Sequence, residues 1–188
     1  MKFIDTHKSR NFNLRRKGSS ISFIIIHYTA MNSAIDAINH MCDIKNQVSS
    51  HFLVDKNGGV FLLVAEQYRA WHAGVSKWNK LTDINSNSIG IELDYSGNHL
   101  FLKKYTQKQI VSLIDLIKYL KKKYLIKSKF ILGHSDISPY RKIDPGNKFP
   151  WIKLYKAGIL DKIGKISKNE IHIIEKKLIN KSKNTTKQ

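Results

Sequence analysis

The chain has 188 residues, 41% of them apolar, and a formal net charge of +19 from 33 Lys and Arg against 14 Asp and Glu. That length suits one domain of about 150–170 residues plus a tail, the apolar content excludes a disordered polymer, and no apolar run reaches the length of a membrane span. A single cysteine, Cys42, excludes an intramolecular disulfide and a CxxC metal site.

In chain order, residues 1–19 read as a basic arm, with Arg15-Arg16-Lys17 a solvated lead-in. The first twenty residues lack the apolar centre of a secretory leader, so a cytoplasmic protein is expected, with a processed periplasmic or envelope form as the alternative. Ile21–Ile26 is a continuous β-branched run and reads as a strand buried on both faces, with His27, Tyr28 and Thr29 at its end. A helix follows from Ser33, its cap, to Asp43, with Ile35, Ile38, Met41 and Cys42 on one face. His40 within it reads as structural, and Cys42 as a buried thiol. Ser50–Val54 and Val60–Val64 form a hairpin about Asp55-Lys56-Asn57-Gly58-Gly59. Arg69–Gly74 is loop-like, and 75–86 a polar connection. Ser88–Leu93 is a strand with Glu92 among isoleucines and a leucine. A carboxylate there must face solvent or be useful, because an unpaired buried charge is costly. Ser96-Gly97-Asn98 is a turn beside a solvated His99. Thr106 and Gln109 have capping-box spacing at the head of a helix running to Tyr124, whose apolar stripe is Ile110, Leu113, Ile114, Ile117 and Leu120. Lys129–Leu132 is a further strand, Trp151–Ala157 a short helix, Ser167–Ile179 an amphipathic terminal helix, and KSKNTTKQ a disordered end. The expected fold is α/β: a central mixed β-sheet flanked by helices, with an arm over 1–19, the domain over 20–160, and a helix and basic tail over 161–188.

The loop Leu132–Gly146 (LGHSDISPYRKIDPG) is broken by Gly133, Pro139, Pro145 and Gly146 and is a poor helix. It reads either as a Pro/Gly loop with an incidental His and Asp, or as a rigid carrier that brings Asp144 back beside His134. Two apolar strands each end in a histidine, His27 and His134. If they lie in parallel as neighbours, both imidazoles meet at one sheet edge and Asp144 completes a two-histidine, one-carboxylate set. Zinc accepts such a set and lowers the pKa of water to about 7. Non-haem iron uses similar ligands, usually with an HxD pair that is absent here. Glu92, on an adjoining strand, is the candidate base. Lys142, two residues before Asp144, is the candidate partner for an oxyanion, against the plainer reading of a surface lysine.

These residues resemble the type 2 N-acetylmuramoyl-L-alanine amidases, the AmpD-like and AmiD-like zinc enzymes related to peptidoglycan recognition proteins and phage amidases. The resemblance covers roughly residues 20–158 and runs through IIIHYTA, SSHFLVDKNGGV, RAWHAG, NSIGIEL and LGHSDISPYRKIDPGNKFPW in family order. It implies one Zn2+ held by His27, His134 and Asp144, with Glu92 as acid/base and Lys142 stabilising the tetrahedral intermediate. Asp144 and Ser50 stand where phage enzymes have cysteine and tyrosine, which points to the AmpD/AmiD branch. Trp71 and His72 then touch sugar or peptide, Arg69 pairs with a peptide carboxylate, and Tyr28 lines the groove or the core. Packing is the other reading of Trp71. His51 is structural or second to the ligands. The implied reaction cleaves the amide between N-acetylmuramic acid, including its 1,6-anhydro form, and L-alanine of the stem peptide, in wall turnover or recycling. The alternatives are a non-catalytic module of the same fold that recognises peptidoglycan fragments, and a nucleic-acid-binding protein. The second rests on charge alone. Arginines are few and lysines are spread along the chain, so no specific nucleic acid is expected. Oligomeric state is not legible.

Overall fold

A computed structural model describes residues 1–97 and 104–161. Asn98 of the expected turn, His99, the helix expected over Ser167–Ile179 and the expected disordered end lie outside those residues. In chain order the elements are β1 (Phe12–Leu14), β2 (Phe23–Tyr28), α1 (Ala34–Cys42), β3 (Phe52–Val54), β4 (Val60–Leu62), β5 (Tyr68–Ala70), α2 (Ile84–Asn87), β6 (Ser88–Leu93), α3 (Gln107–Tyr124), β7 (Ile131–Gly133), α4 (His134–Ile137) and α5 (Trp151–Lys156).

Five strands form one sheet in the order β4-β3-β6-β2-β7. β3, β6, β2 and β7 run parallel, and β4 closes the edge as the antiparallel arm of a hairpin. The expected mixed sheet is therefore present. The hairpin turns where Asp55 Oδ1 accepts from the amides of Asn57 (2.8 Å) and Gly59 (2.7 Å), with Gly58 at φ 89°.

Both sheet faces are covered, which is why the strands read as unbroken apolar runs. Ile24 and Ile26 of β2, Ile89, Ile91 and Leu93 of β6 and Ile131 of β7 pack with Ile110, Leu113, Leu116, Ile117 and Leu120 of α3. Each such fully buried side chain contributes about 1.5–3 kcal/mol. On the opposite face Phe23, Ile25 and Leu132 pack with Ile84 and Ile137, and Leu53 packs with Ala37, Ile38 and Met41 of α1. Side chains alternate along a strand. With Ile26 and with Ile91 and Leu93 turned towards α3, His27 and Glu92 are turned to the other face.

The caps follow the sequence. Ser33 Oγ accepts from the Asp36 amide (3.2 Å), and Thr106 Oγ1 from the Gln109 amide (3.1 Å). Ile35, expected on the apolar face of α1, is instead 49% exposed, because the helix buries Ala37, Ile38 and Met41. Cys42 is half-buried beside that cluster, and burial raises its thiol pKa. The expected strand Lys129–Leu132 begins later, because Ser128–Phe130 form a 3-10 turn before β7. No helix among the described residues is long and apolar enough to cross a membrane.

The lead-in differs most from expectation. Phe3 stacks near Phe52 and Tyr119 (ring centroids 5.1 and 5.7 Å), and Ser9 and Asn11 are buried. Asn11 Nδ2 donates to the carbonyls of Met41, Asp43 and Val48. β1 pairs antiparallel with β5, so the loop expected at Arg69 opens as a strand. Arg15, expected to be solvated, sends its guanidinium inward to the carbonyls of Glu66, Asn85, Ser86 and Ser88 at 2.9–3.2 Å. Its reward is the pairing of carbonyls that water does not reach. Arg15→Ala should therefore lower stability by about 2–4 kcal/mol, read as a shifted urea midpoint at constant m-value. Arg15→Lys should recover little, since an ammonium cannot span the same fork of acceptors. An unshifted Arg15→Ala midpoint would show that these bonds add nothing.

Candidate active site

Open parallel sheets bind ligands at the carboxyl ends of their strands. Here β2 lies between β6 and β7. His27 is in register with Glu92, and Ile26 with Gly133, so His134 stands one step beyond, beside His27. The loop returns through two local devices. The Ser135 amide donates to the Asp144 carbonyl at 2.9 Å. Gly133 lets Pro145 close in, for a Cβ there would lie 2.5 Å from the proline Cδ.

His27 Nδ1, His134 Nδ1 and Asp144 Oδ2 converge. The two nitrogens are 3.0 Å apart, and each is 3.0–3.1 Å from the carboxylate oxygen. All three residues are buried, at 1%, 3% and 7% exposure. His134 Nε2 lies 3.0 Å from the Ala73 carbonyl, which only accepts, so that nitrogen carries the proton and Nδ1 offers its lone pair to the cluster. Burial lowers the His27 pKa to about 4, keeping it neutral. Burial alone would raise the Asp144 carboxyl, but the adjoining imidazoles of His134 and His27 outweigh it and hold the carboxyl below the usual carboxylate range. Two imidazoles and a carboxylate with donor atoms within 4.8 Å of one another fit a divalent metal ion.

The cluster floors a cleft of about 390 Å3 lined by Tyr28, Glu92, Arg141 and Lys142 among others. Glu92 Oε2 is buried with no hydrogen-bond partner among the described residues. Burial, then the nearby Asp144, pushes the Glu92 carboxyl up to about 8, against the pull of Lys142. His40, read as structural, is exposed and lines the cleft.

Two residues of the RAWHAG motif do not line this cleft. Arg69 is held by Asp83 Oδ1 (3.2 and 3.3 Å) and Asn13 Oδ1 (3.3 Å), and Trp71 Nε1 donates to Asn13 Oδ1 (3.0 Å). His72 does reach it, but behind His27: His72 Nδ1 is 3.0 Å from His27 Nε2, and its Nε2 is 3.0 Å from Ser88 Oγ. His51 lies further back, with Nδ1 accepting from the Gly90 amide at 3.0 Å. Arg141 and Ser88 were not singled out from the sequence. Arg141 adjoins Lys142 in the same loop, which was a usable signal, whereas Ser88 is an ordinary strand-opening serine.

The family profile described as N-acetylmuramoyl-L-alanine amidase matches residues 17–147. The chain is 39% identical over 153 residues to N-acetylmuramoyl-L-alanine amidase AmiD of Escherichia coli strain K12, covering 74% of this chain and 54% of AmiD. It is 35% identical over 162 residues to 1,6-anhydro-N-acetylmuramyl-L-alanine amidase AmpD of Haemophilus influenzae, covering 77% of this chain and 86% of AmpD. A solved complex of E. coli AmiD with the substrate anhydro-N-acetylmuramic acid-L-Ala-D-γ-Glu-L-Lys superposes with a TM-score of 0.68 at 37% identity, covering 77% of this chain and 61% of that one. The chain thus spans about half the length of AmiD. With a matched profile over most of its length and this fold in common, the chain belongs to the N-acetylmuramoyl-L-alanine amidase family.

Proposed function

We propose that the protein is a zinc-dependent amidase that hydrolyses the bond between N-acetylmuramic acid, including its 1,6-anhydro form, and L-alanine of the stem peptide. The observation that carries this reading is Glu92, whose Oε2 is buried without a hydrogen-bond partner among the described residues, in the cleft whose floor is the His27, His134 and Asp144 cluster. The relatives' names, AmiD and AmpD, support the substrate class.

Zinc, when bound by the three residues, supplies Lewis acidity and makes water easier to deprotonate. Glu92, once ionised, takes a proton from the attacking water and hands it to the leaving nitrogen, so the carbonyl carbon gains OH and the alanine amine gains H. Lys142, in the cleft wall, offers an ammonium to the oxyanion that develops on the carbonyl oxygen. Arg141 is the arginine we assign to stem-peptide carboxylates, since it lines the cleft, which Arg69 does not, and its Nη2 is anchored by the carbonyls of Ala73 and Val75 at 2.8 Å.

Mass spectrometry of products from an anhydro-muramyl tripeptide and an intact sacculus offered together, with and without a zinc chelator, tests this. Free stem peptide should appear and should vanish with chelator. Release from the anhydro substrate alone would mark a recycling enzyme, and release from both a broader wall-cleaving one. No release from either by zinc-loaded protein would overturn hydrolysis in favour of fragment recognition.

A further inference from the structure

His72 and Ser88 lie behind the metal cluster and form a directed chain of hydrogen bonds. Its direction is fixed from the far end. The Ile84 carbonyl only accepts, so Ser88 Oγ, 2.7 Å away, donates its single proton there. Ser88 Oγ must then accept from His72 Nε2 at 3.0 Å. His72 is buried, and its ring nitrogens meet a hydroxyl and an imidazole rather than a carboxylate. A neutral ring protonated on Nε2 has a lone pair on Nδ1. That lone pair accepts from His27 Nε2, 3.0 Å away. His27 is therefore left with an unprotonated Nδ1, the atom aimed at His134 and Asp144.

The ring of His72 is also clamped. Asn85 Oδ1 accepts from the amides of His72 (3.2 Å) and Ala73 (2.8 Å). Beneath it lies Gly90, where a Cβ would stand 2.5 Å from the imidazole Cγ. β6 thus supplies a bare backbone step for the ring and, two residues earlier, the serine that orients it.

We infer that His72 and Ser88 are positioning residues that hold His27 in its Nε2-protonated tautomer, so that Nδ1 is free to bind the metal. The final step rests on the metal reading above. The tautomer itself does not. His72 acts through His27.

Long-range proton–nitrogen correlation spectra of metal-free, 15N-histidine-labelled protein test the chain directly. His27 and His72 should both show protonated Nε2 and bare Nδ1. Zinc affinity, by competition with a chromophoric chelator, tests its consequence. His72→Leu should weaken zinc by about 10–100-fold, whereas His72→Asn, whose amide oxygen can accept from His27 Nε2, should stay within about threefold. Ser88→Ala should weaken zinc less than His72→Leu, and the double variant should be no worse than His72→Leu, because the serine acts only through the histidine. A wild-type His27 protonated on Nδ1, or a folded His72→Leu protein with undiminished affinity, would overturn the inference. If His72→Leu does not fold, the wild-type spectrum and Ser88→Ala still decide. A wild-type protein that shows the tautomers but binds no zinc would sink the metal reading and leave the hydrogen-bond chain standing.

Discussion

Glu92→Gln should lower turnover by about 100- to 10,000-fold while leaving the fold and the metal content intact. Glutamine keeps the shape of the side chain but cannot take a proton. Glu92 is not one of the three converging side chains that we propose hold the metal, so the metal should stay. The same variant should be more stable than the wild type when both are metal-free. Burial, then Asp144, lifts the Glu92 carboxyl to about 8 from an ordinary 4.5. Between those values the folded protein holds a proton that the unfolded chain has released, so stability falls as pH rises through the window. Near pH 7 the penalty is about 3 kcal/mol, and glutamine does not incur it. Urea melts at pH 5 and 7.5 would show the two proteins converging at the lower pH and the variant ahead at the higher. A residue that merely props up the cleft would lose activity and stability together. Full turnover in Glu92→Gln, or a less stable variant at pH 7.5, would remove Glu92 from the role of base.

What the sequence makes legible follows from period and punctuation. The runs through Ile24–Ile26 and Ile89–Ile91 identify strands buried on both faces, and a strand's alternation then turns His27 and Glu92 to one side. The Gly133 and Pro145 breaks mark a loop that must return, and the structure gives the reason in their 2.5 Å approach. The lead-in was illegible for a different reason. Phe12–Leu14 is too short to read as a strand, and its partner at Tyr68–Ala70 is more than fifty residues away. Nothing local says that Arg15 will meet carbonyls from residues 66 to 88. The setting of the motif residues Arg69 and Trp71 is hidden on the same account: Asn13, which bonds to both, comes from that unread strand. Side-chain bonds to distant backbone leave no periodic trace, whereas residues at strand ends do.

The metal-free protein should also lose stability steeply in mild acid. Burial lowers His27 to about 4 and His51 to about 3, and burial, then the proximity of His27, holds His72 well below the ordinary 6.5. Each of these folded values is depressed, so as pH falls through 6.5 the unfolded chain takes up protons that the folded protein refuses. Stability therefore drops with falling pH, from about 6.5 downward. Three imidazoles act in this direction and Glu92 acts against them by one proton, a net of two. The slope near pH 5.5 should approach about 2.7 kcal/mol per pH unit, enough to exhaust a stability of about 5 kcal/mol within two units. The variants separate the contributions. In Glu92→Gln the opposing proton is gone and the slope should steepen to about 4 kcal/mol per unit; in His51→Asn, distant from the ligands, it should fall to about 1.4. Urea titrations of dialysed, metal-free protein at half-unit steps from pH 7 to 5 would read these slopes. A flat wild-type profile over that range would mean that the buried histidines can protonate in place, and that the apolar shell holding them neutral around the cleft is not closed to protons.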